Sequence, residues 1–150
     1  MINKNTYGKN FITHNVSVFW SNLSAPDIKF GNPNHSVTVE VDPQLNKVLL
    51  AAMTELGGTK INALKDYEGK KLIKFKNTVV AKSGTQVFPV TGADLVATNV
   101  IPFRSDLVRV KVTPVLLQRD NSVSFYMSEI QLIERRYQEN DSVSFSKVTE

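Results

Sequence analysis

Five segments of this chain alternate side chains with a period of two, and a single segment carries a helical period. Val16, Val18 and Trp20 alternate with Ser17, Phe19 and Ser21, and Val37, Val39 and Val41 alternate with Thr38 and Glu40. Ile73 and Phe75 alternate with Leu72, Lys74 and Lys76, and Val108, Val110 and Val112 with Arg109, Lys111 and Thr113. Val123, Phe125 and Met127 begin a fifth run, which changes parity before Ile130 and Leu132. Period two places alternate residues on opposite faces of a strand, so each run reads as a strand with one face toward a core. The parity change predicts a β-bulge near Ser128 and Glu129.

The helical segment follows the second strand. Asp42 suits the N-cap and Pro43 the first helical position. Leu45, Val48, Leu49, Ala52, Met53 and Leu56 keep helical spacing, and Gly57-Gly58 supplies the stop. This stripe reads as core packing, with the helix closing one end of a sheet or barrel. At 150 residues the chain has room for one core and little more. The fold class is therefore all-β with one main helix, read as a five-stranded β-barrel like the oligonucleotide-binding (OB) fold. A β-sandwich is the alternative, because strand counts alone do not separate the two.

Between these elements the chain carries turn formers. Residues 24–34 form a Pro/Asn/Asp-rich loop, Ser83-Gly84 is the turn of a hairpin spanning residues 77–90, and residues 91–105 read as a loop. Residues 1–13 are expected to form a partly ordered N-terminal arm, 14–136 the folded domain, and the polar, Ser-rich residues 137–150 a flexible tail.

Charge is distributed unevenly. The formal net charge is +4, but seven lysines fall between residues 60 and 82 against only Asp66 and Glu68. Lys70, Lys71, Lys74 and Lys76 concentrate it on one strand, where lysine either blunts an exposed edge or meets an anionic ligand. Cysteine is absent, which removes disulfides, thiolate metal sites and cysteine nucleophiles. His14 and His35 lie on different segments, neither at metal-ligand spacing with an acid. Gly57-Gly58-Thr59-Lys60 ends a helix rather than opening one, so it is no phosphate loop, and no nucleophile elbow occurs. These residues give no reason to expect an enzyme, a metal or a cofactor. With no signal-peptide core and no apolar run of membrane-spanning length, a cytosolic protein without a membrane role is expected.

Single-stranded nucleic acid needs cations along its phosphates and aromatic planes for its bases. Lys71, Lys74 and Lys76 on one strand, Arg109 and Lys111 on another, and Lys29 and Arg104 in loops are the candidate cations. Trp20 and Phe75 share faces with aliphatic residues and are expected in the core. Phe19, flanked by Ser17 and Ser21, and Phe30, beside Lys29, are the candidate stacking residues. Phe103 sits beside Arg104, where plugging a barrel end is as good a reading as stacking, and Phe88 and Tyr126 are ambiguous.

Trp20-Ser-Asn-Leu-Ser-Ala-Pro-Asp-Ile-Lys-Phe30, followed by the valine strand, resembles the bacteriophage single-stranded DNA-binding proteins. Leu107-Val-Arg-Val-Lys-Val-Thr-Pro114 and Ser128-Glu-Ile-Gln-Leu-Ile133 resemble that family's last two strands, so the likeness covers about a third of the chain. The resemblance implies a non-catalytic OB barrel, monomeric or homodimeric. It would bind and protect single-stranded DNA without sequence preference during phage DNA replication, recombination and repair in the host cytoplasm. It also implies phage replication proteins as partners, recruited through the C-terminal tail. Two features depart from the family pattern: the tail holds only Glu139, Asp141 and Glu150 as acids, with Lys147 among them and Phe145 as an apolar anchor, and the helix comes one strand early. The rival readings are a viral structural or interaction module built on a β-sandwich, whose basic strand packs on an acidic partner, and an oligosaccharide-binding barrel.

Overall fold

The computed structural model describes residues 5–27, 34–77, 88–98 and 100–136. The elements in order are β1 (Thr6–Tyr7), β2 (Phe11–Ile12), β3 (Val16–Asp27), β4 (Asn34–Glu40), α1 (Pro43–Leu56), β5 (Lys60–Ile61), β6 (Leu64–Tyr67), β7 (Lys70–Asn77), β8 (Val90–Thr91), β9 (Ala97–Thr98), β10 (Leu107–Leu117) and β11 (Ser122–Glu134). The loop segment around Lys29 and Phe30, most of the hairpin expected over residues 77–90, and the tail from residue 137 with Phe145 lie outside the described residues.

Five strands close on themselves. β3 pairs antiparallel with β4, β4 with β7, β7 meets β11 in parallel, β11 pairs antiparallel with β10, and β10 returns to β3. This closed five-stranded ring is OB-like, and it sets the sandwich aside. Its interior is filled from every strand by the residues the alternation selects: Val16 and Val18, Val37 and Val39, Ile73 and Phe75, Val108, Val110 and Val112, and Val123, Phe125 and Met127. Opposite Lys111 and Val112 the register slips past Ser128, which is the bulge that lets Ile130 and Leu132 join the same core.

The helix forms where expected. Asp42 Oδ1 accepts a hydrogen bond from the Leu45 amide at 2.8 Å, and Gly57 ends α1 in the left-handed region at φ 77°. Leu45 and Leu49 are fully buried in the barrel core, with Ala52, Met53 and Leu56 packed at its margin. α1 falls between the second and third barrel strands. Residues 6–12, expected in the partly ordered arm, pair along β10 as β1 and β2, and β8 and β9 form a small hairpin inside the expected 91–105 loop.

The narrowest closure is the β7–β11 seam, where among the described residues the only pair is Lys76 and Tyr126. Asn77 Nδ2 donates across it to the Met127 carbonyl at 2.9 Å. On the other side of that pair the strands diverge, and residues 59–63 fill the gap. The Asn62 amide donates to Val123 O at 2.9 Å, and Ala63 O accepts from the Lys74 amide at 3.2 Å. No helix among the described residues is long and apolar enough to cross a membrane.

Candidate nucleic-acid interface

The register places two rows of side chains across the outer face of the barrel. Trp20 pairs with Thr38 and Thr38 with Lys74; Asn22 pairs with Ser36, Ser36 with Lys76, and Lys76 with Tyr126. The small hydroxyl residues Ser36 and Thr38 form a buried floor. Across it Lys74 faces Trp20 in the first row and Lys76 faces Asn22 in the second, with Tyr126 beyond Lys76. The resulting cavity, of about 450 Å³, is bordered by Phe19, Trp20, Lys74, Phe103 and Arg104. Lys74 also borders a second cavity of about 290 Å³ at the β7–β11 seam, together with Lys76, Asn62 and Ser124, so the two are neighbours across Lys74. No acidic residue lines either one among the described residues.

The aromatic side of the groove differs from the sequence expectation in two places. Trp20, expected in the core, lies on the outer face with 38% of its surface exposed, while Phe19, expected as an open stacking platform, is 3% exposed. A bulge explains both. Val18 pairs with Val39 and Trp20 with Thr38, so Phe19 is the extra residue and the parity of β3 reverses after it. Phe19 is covered by Trp20 and Tyr67, with ring centres at 4.7 and 5.7 Å, and by the Arg104 guanidinium carbon 3.9 Å from its ring centre. Arg104 is anchored there by its Nε, which donates to the Phe19 carbonyl at 3.0 Å. Phe75 is in the core as expected, and so is Phe88.

Two contributors to this face were not singled out from the sequence. Tyr67, on the β6–β7 hairpin, lies 5.0 Å from Trp20 ring to ring, and Lys65 sets its ammonium 4.8 Å from the Trp20 ring centre. Lys65 and Tyr67 have the i, i+2 spacing that puts both on one face of β6. Phe103 is 41% exposed at the other end of the groove. Its loop is held by Asp106, a fully buried carboxylate that accepts from the Phe103 amide at 3.0 Å, from Arg135 Nε at 3.1 Å and from the Arg136 amide at 2.6 Å.

The candidate cations divide between surfaces. Lys74, Lys76 and Arg104 line the groove, and Lys71 is exposed near the start of β7. Neither Lys74 nor Lys76 is ion-paired among the described residues, and burial pushes the Lys76 pKa down, with Lys74 and Arg119 repelling its charge as well. Arg109 and Lys111 project elsewhere, beside a separate cavity of about 180 Å³ that includes Ile12, Leu95 and Glu129. There Lys111 pairs with Glu129 at 3.4 Å and Arg109 Nε donates to the Thr13 carbonyl at 3.3 Å. They are not part of one continuous rail with Lys74 and Lys76. Neither histidine lies in the groove: His14 bonds to Asp42 at 2.7 Å, and His35 is buried against Phe88. Among the described residues no group of three or more His, Cys, Asp or Glu side chains is placed to hold a metal.

An OB-like barrel carrying a basic, aromatic-walled groove is the class that fold and site define. No family model matches the chain, and no curated protein matches it in sequence. Solved structures do match. The single-stranded DNA-binding protein gp2.5 of bacteriophage T7 has a TM-score of 0.57 at 16% identity, over 91% of this chain and 93% of that one. The single-stranded DNA-binding protein of bacteriophage Enc34, in complex with ssDNA, has a TM-score of 0.63 at 12% identity, over 87% and 88%. A C-terminal truncation of the Enc34 protein gives 0.63 at 10% identity, over 85% and 87%. At these identities the chain shares the fold of the phage single-stranded DNA-binding proteins along most of its length.

Proposed function

We propose that this protein binds single-stranded DNA with little sequence preference and protects it during phage DNA replication, recombination and repair, without catalysis. The observation that carries the reading is the row Trp20, Thr38, Lys74. It sets a half-exposed ring and an ammonium with no ion-pair partner among the described residues on either side of a small, neutral floor. A strand lying there can stack a base on the ring while its phosphates meet Lys74, Lys76 and Arg104, and such stacking tolerates any base. The named function of the structural neighbours adds support.

In this reading Trp20, Tyr67 and Phe103 present aromatic surface, while Phe19 backs Trp20 and holds Arg104. Lys71 extends the track along β7. Lys29 and Phe30 follow directly on β3 in sequence and keep their proposed binding role. Arg109 and Lys111 form a secondary basic patch that longer strands reach. Replication proteins are the proposed partners of residues 137–150, and the site of action is the host cytoplasm. The test is a mobility shift with oligo-dT, duplex DNA and oligo-U at several salt concentrations. Salt-sensitive retardation of the single strands supports the reading, oligo-U against oligo-dT reads the DNA-over-RNA preference, and no retardation of oligo-dT at low salt removes the reading.

A further inference from the structure

The cavity at the β7–β11 seam is chemically distinct from the aromatic groove beside it. It has no exposed aromatic wall, and its polar groups are arranged by a short relay. Asn62 Nδ2 donates one proton to Ser122 Oγ at 2.8 Å and the other to Ser124 Oγ at 2.9 Å. Ser122 passes its own proton to Asp120 Oδ1 at 2.5 Å. Ser124 receives from Asn62 in the same way, but its proton has no acceptor among the described residues. Ser124 is 6% exposed, and the open space beside it is the cavity it lines. A hydroxyl that accepts from Asn62 and faces open space is placed to donate its proton to an acceptor that occupies that space, water or a ligand.

Lys74 and Lys76 border the same space, so it suits an anionic acceptor. Burial and the proximity of Lys74 and Arg119 already disfavour the charge on Lys76, a penalty that an anion in the cavity would relieve. The scaffold is fixed on both sides of the seam. The Asn62 amide is bonded to β11 and the Ala63 carbonyl to β7, with Ala63 at φ 63°. A left-handed alanine is uncommon and here lets residues 62 and 63 span two diverging strands.

We propose that this seam cavity is a phosphate subsite, in which Ser124 donates a hydrogen bond and Lys74 and Lys76 supply the charge to one backbone phosphate of a bound single strand. The inference rests on the single-strand reading above and adds to it a site away from the stacking groove, with Ser124 and Asn62 as its orienting pair. Because Lys74 borders both cavities, a strand stacked on Trp20 would reach the seam by passing Lys74.

Two measurements test it. Ser124→Ala removes a donor but no charge. It should weaken oligo-dT binding about 10-fold, the order expected for a hydrogen bond to a charged group, with an unchanged salt slope. In the wild-type protein, inorganic phosphate should shift the Ser124 amide and the Asn62 side-chain NH2 in an NMR titration, whereas chloride at equal ionic strength should not. Ser124→Ala that binds oligo-dT as the wild type does would overturn the subsite and leave the single-strand reading intact. No phosphate-induced shift at Ser124 or Asn62 would also overturn it. A phosphate shift in a protein that fails to bind oligo-dT would reassign the cavity to free phosphate and overturn the strand assignment.

Discussion

The ammonium of Lys65 stands 4.8 Å from the centre of the Trp20 ring, and in the free protein it occupies one face of an exposed aromatic platform in the groove. A cation at an exposed ring contributes about 0.5–1 kcal/mol, whereas a stacked base contributes about 1–3 kcal/mol. A base can therefore displace the ammonium, which is then free to meet a phosphate. Trp20→Ala should cost about 1–3 kcal/mol of oligo-dT affinity by calorimetry. Lys65→Ala should lower the salt slope by about 0.7 while leaving stacking intact. Equal losses for Trp20→Ala and Trp20→Phe would argue against stacking.

The division of cations predicts a difference between two double variants. Lys74→Gln with Lys76→Gln should reduce the log–log salt slope by about 1.4, the sum of two phosphate contacts. Arg109→Gln with Lys111→Gln should reduce it by less than half as much for a short oligonucleotide, because that pair lies beside another cavity and Lys111 is already matched by Glu129. If the second pair lowers the slope as much as the first, the strand follows β10 rather than β7.

Lys76 also predicts a pH effect. Its pKa in the folded protein lies below the ordinary lysine value because burial, then Lys74 and Arg119, disfavour the ammonium. A phosphate favours the ammonium, so binding takes up a proton between the lowered pKa and the ordinary value. Affinity should hold at neutral pH and fall as pH rises through the lowered pKa, and Lys76→Met should abolish that alkaline fall. The same shift makes the charged lysine a burden on the fold below its folded pKa, a burden that eases as pH rises toward the ordinary value. Lys76→Met should therefore raise the neutral-pH melting temperature, which calorimetry reads directly.

Gly58 tests the packing of α1 against β11 independently of binding. A Cβ on Gly58 would lie 2.5 Å from Val123 Cγ2 and 3.2 Å from Met53 Cγ, so neither neighbour tolerates it in place. Gly58→Ala should destabilise the protein by about 1–3 kcal/mol in denaturant titration. The affinity of the folded fraction for single strands should stay unchanged, because the residue borders neither cavity of the groove.

The parts of this fold readable from sequence were those set by local chemistry. Asp42, Pro43 and Gly57 mark the ends of α1 by capping alone, and the parity change between Met127 and Ile130 announces the Ser128 bulge. The Phe19 bulge left a fainter trace. Both residues it exchanges are aromatic, so Val16 to Ser21 reads as an alternation that buries the wrong ring, and only Leu23, at the opposite parity to Val16 and Val18, marks the reversal. Arg109 and Lys111 look equivalent to Lys74 and Lys76 in sequence. Pairing order separates them, since β10 lies between β3 and β11 while β7 lies between β4 and β11. The seam relay of Asn62, Ser122 and Ser124 joins residues about 60 apart and carries no motif.

Trp20 is the only tryptophan in the chain, so its emission reports on the centre of the groove without interference. Titrating oligo-dT while recording that emission at low and at high salt tests the central claim most directly. Base stacking on Trp20 beside Lys74 and Lys76 predicts saturable quenching, with an affinity that falls steeply as salt rises. Emission that does not respond to oligo-dT at low salt, or responds with no dependence on salt, would contradict it.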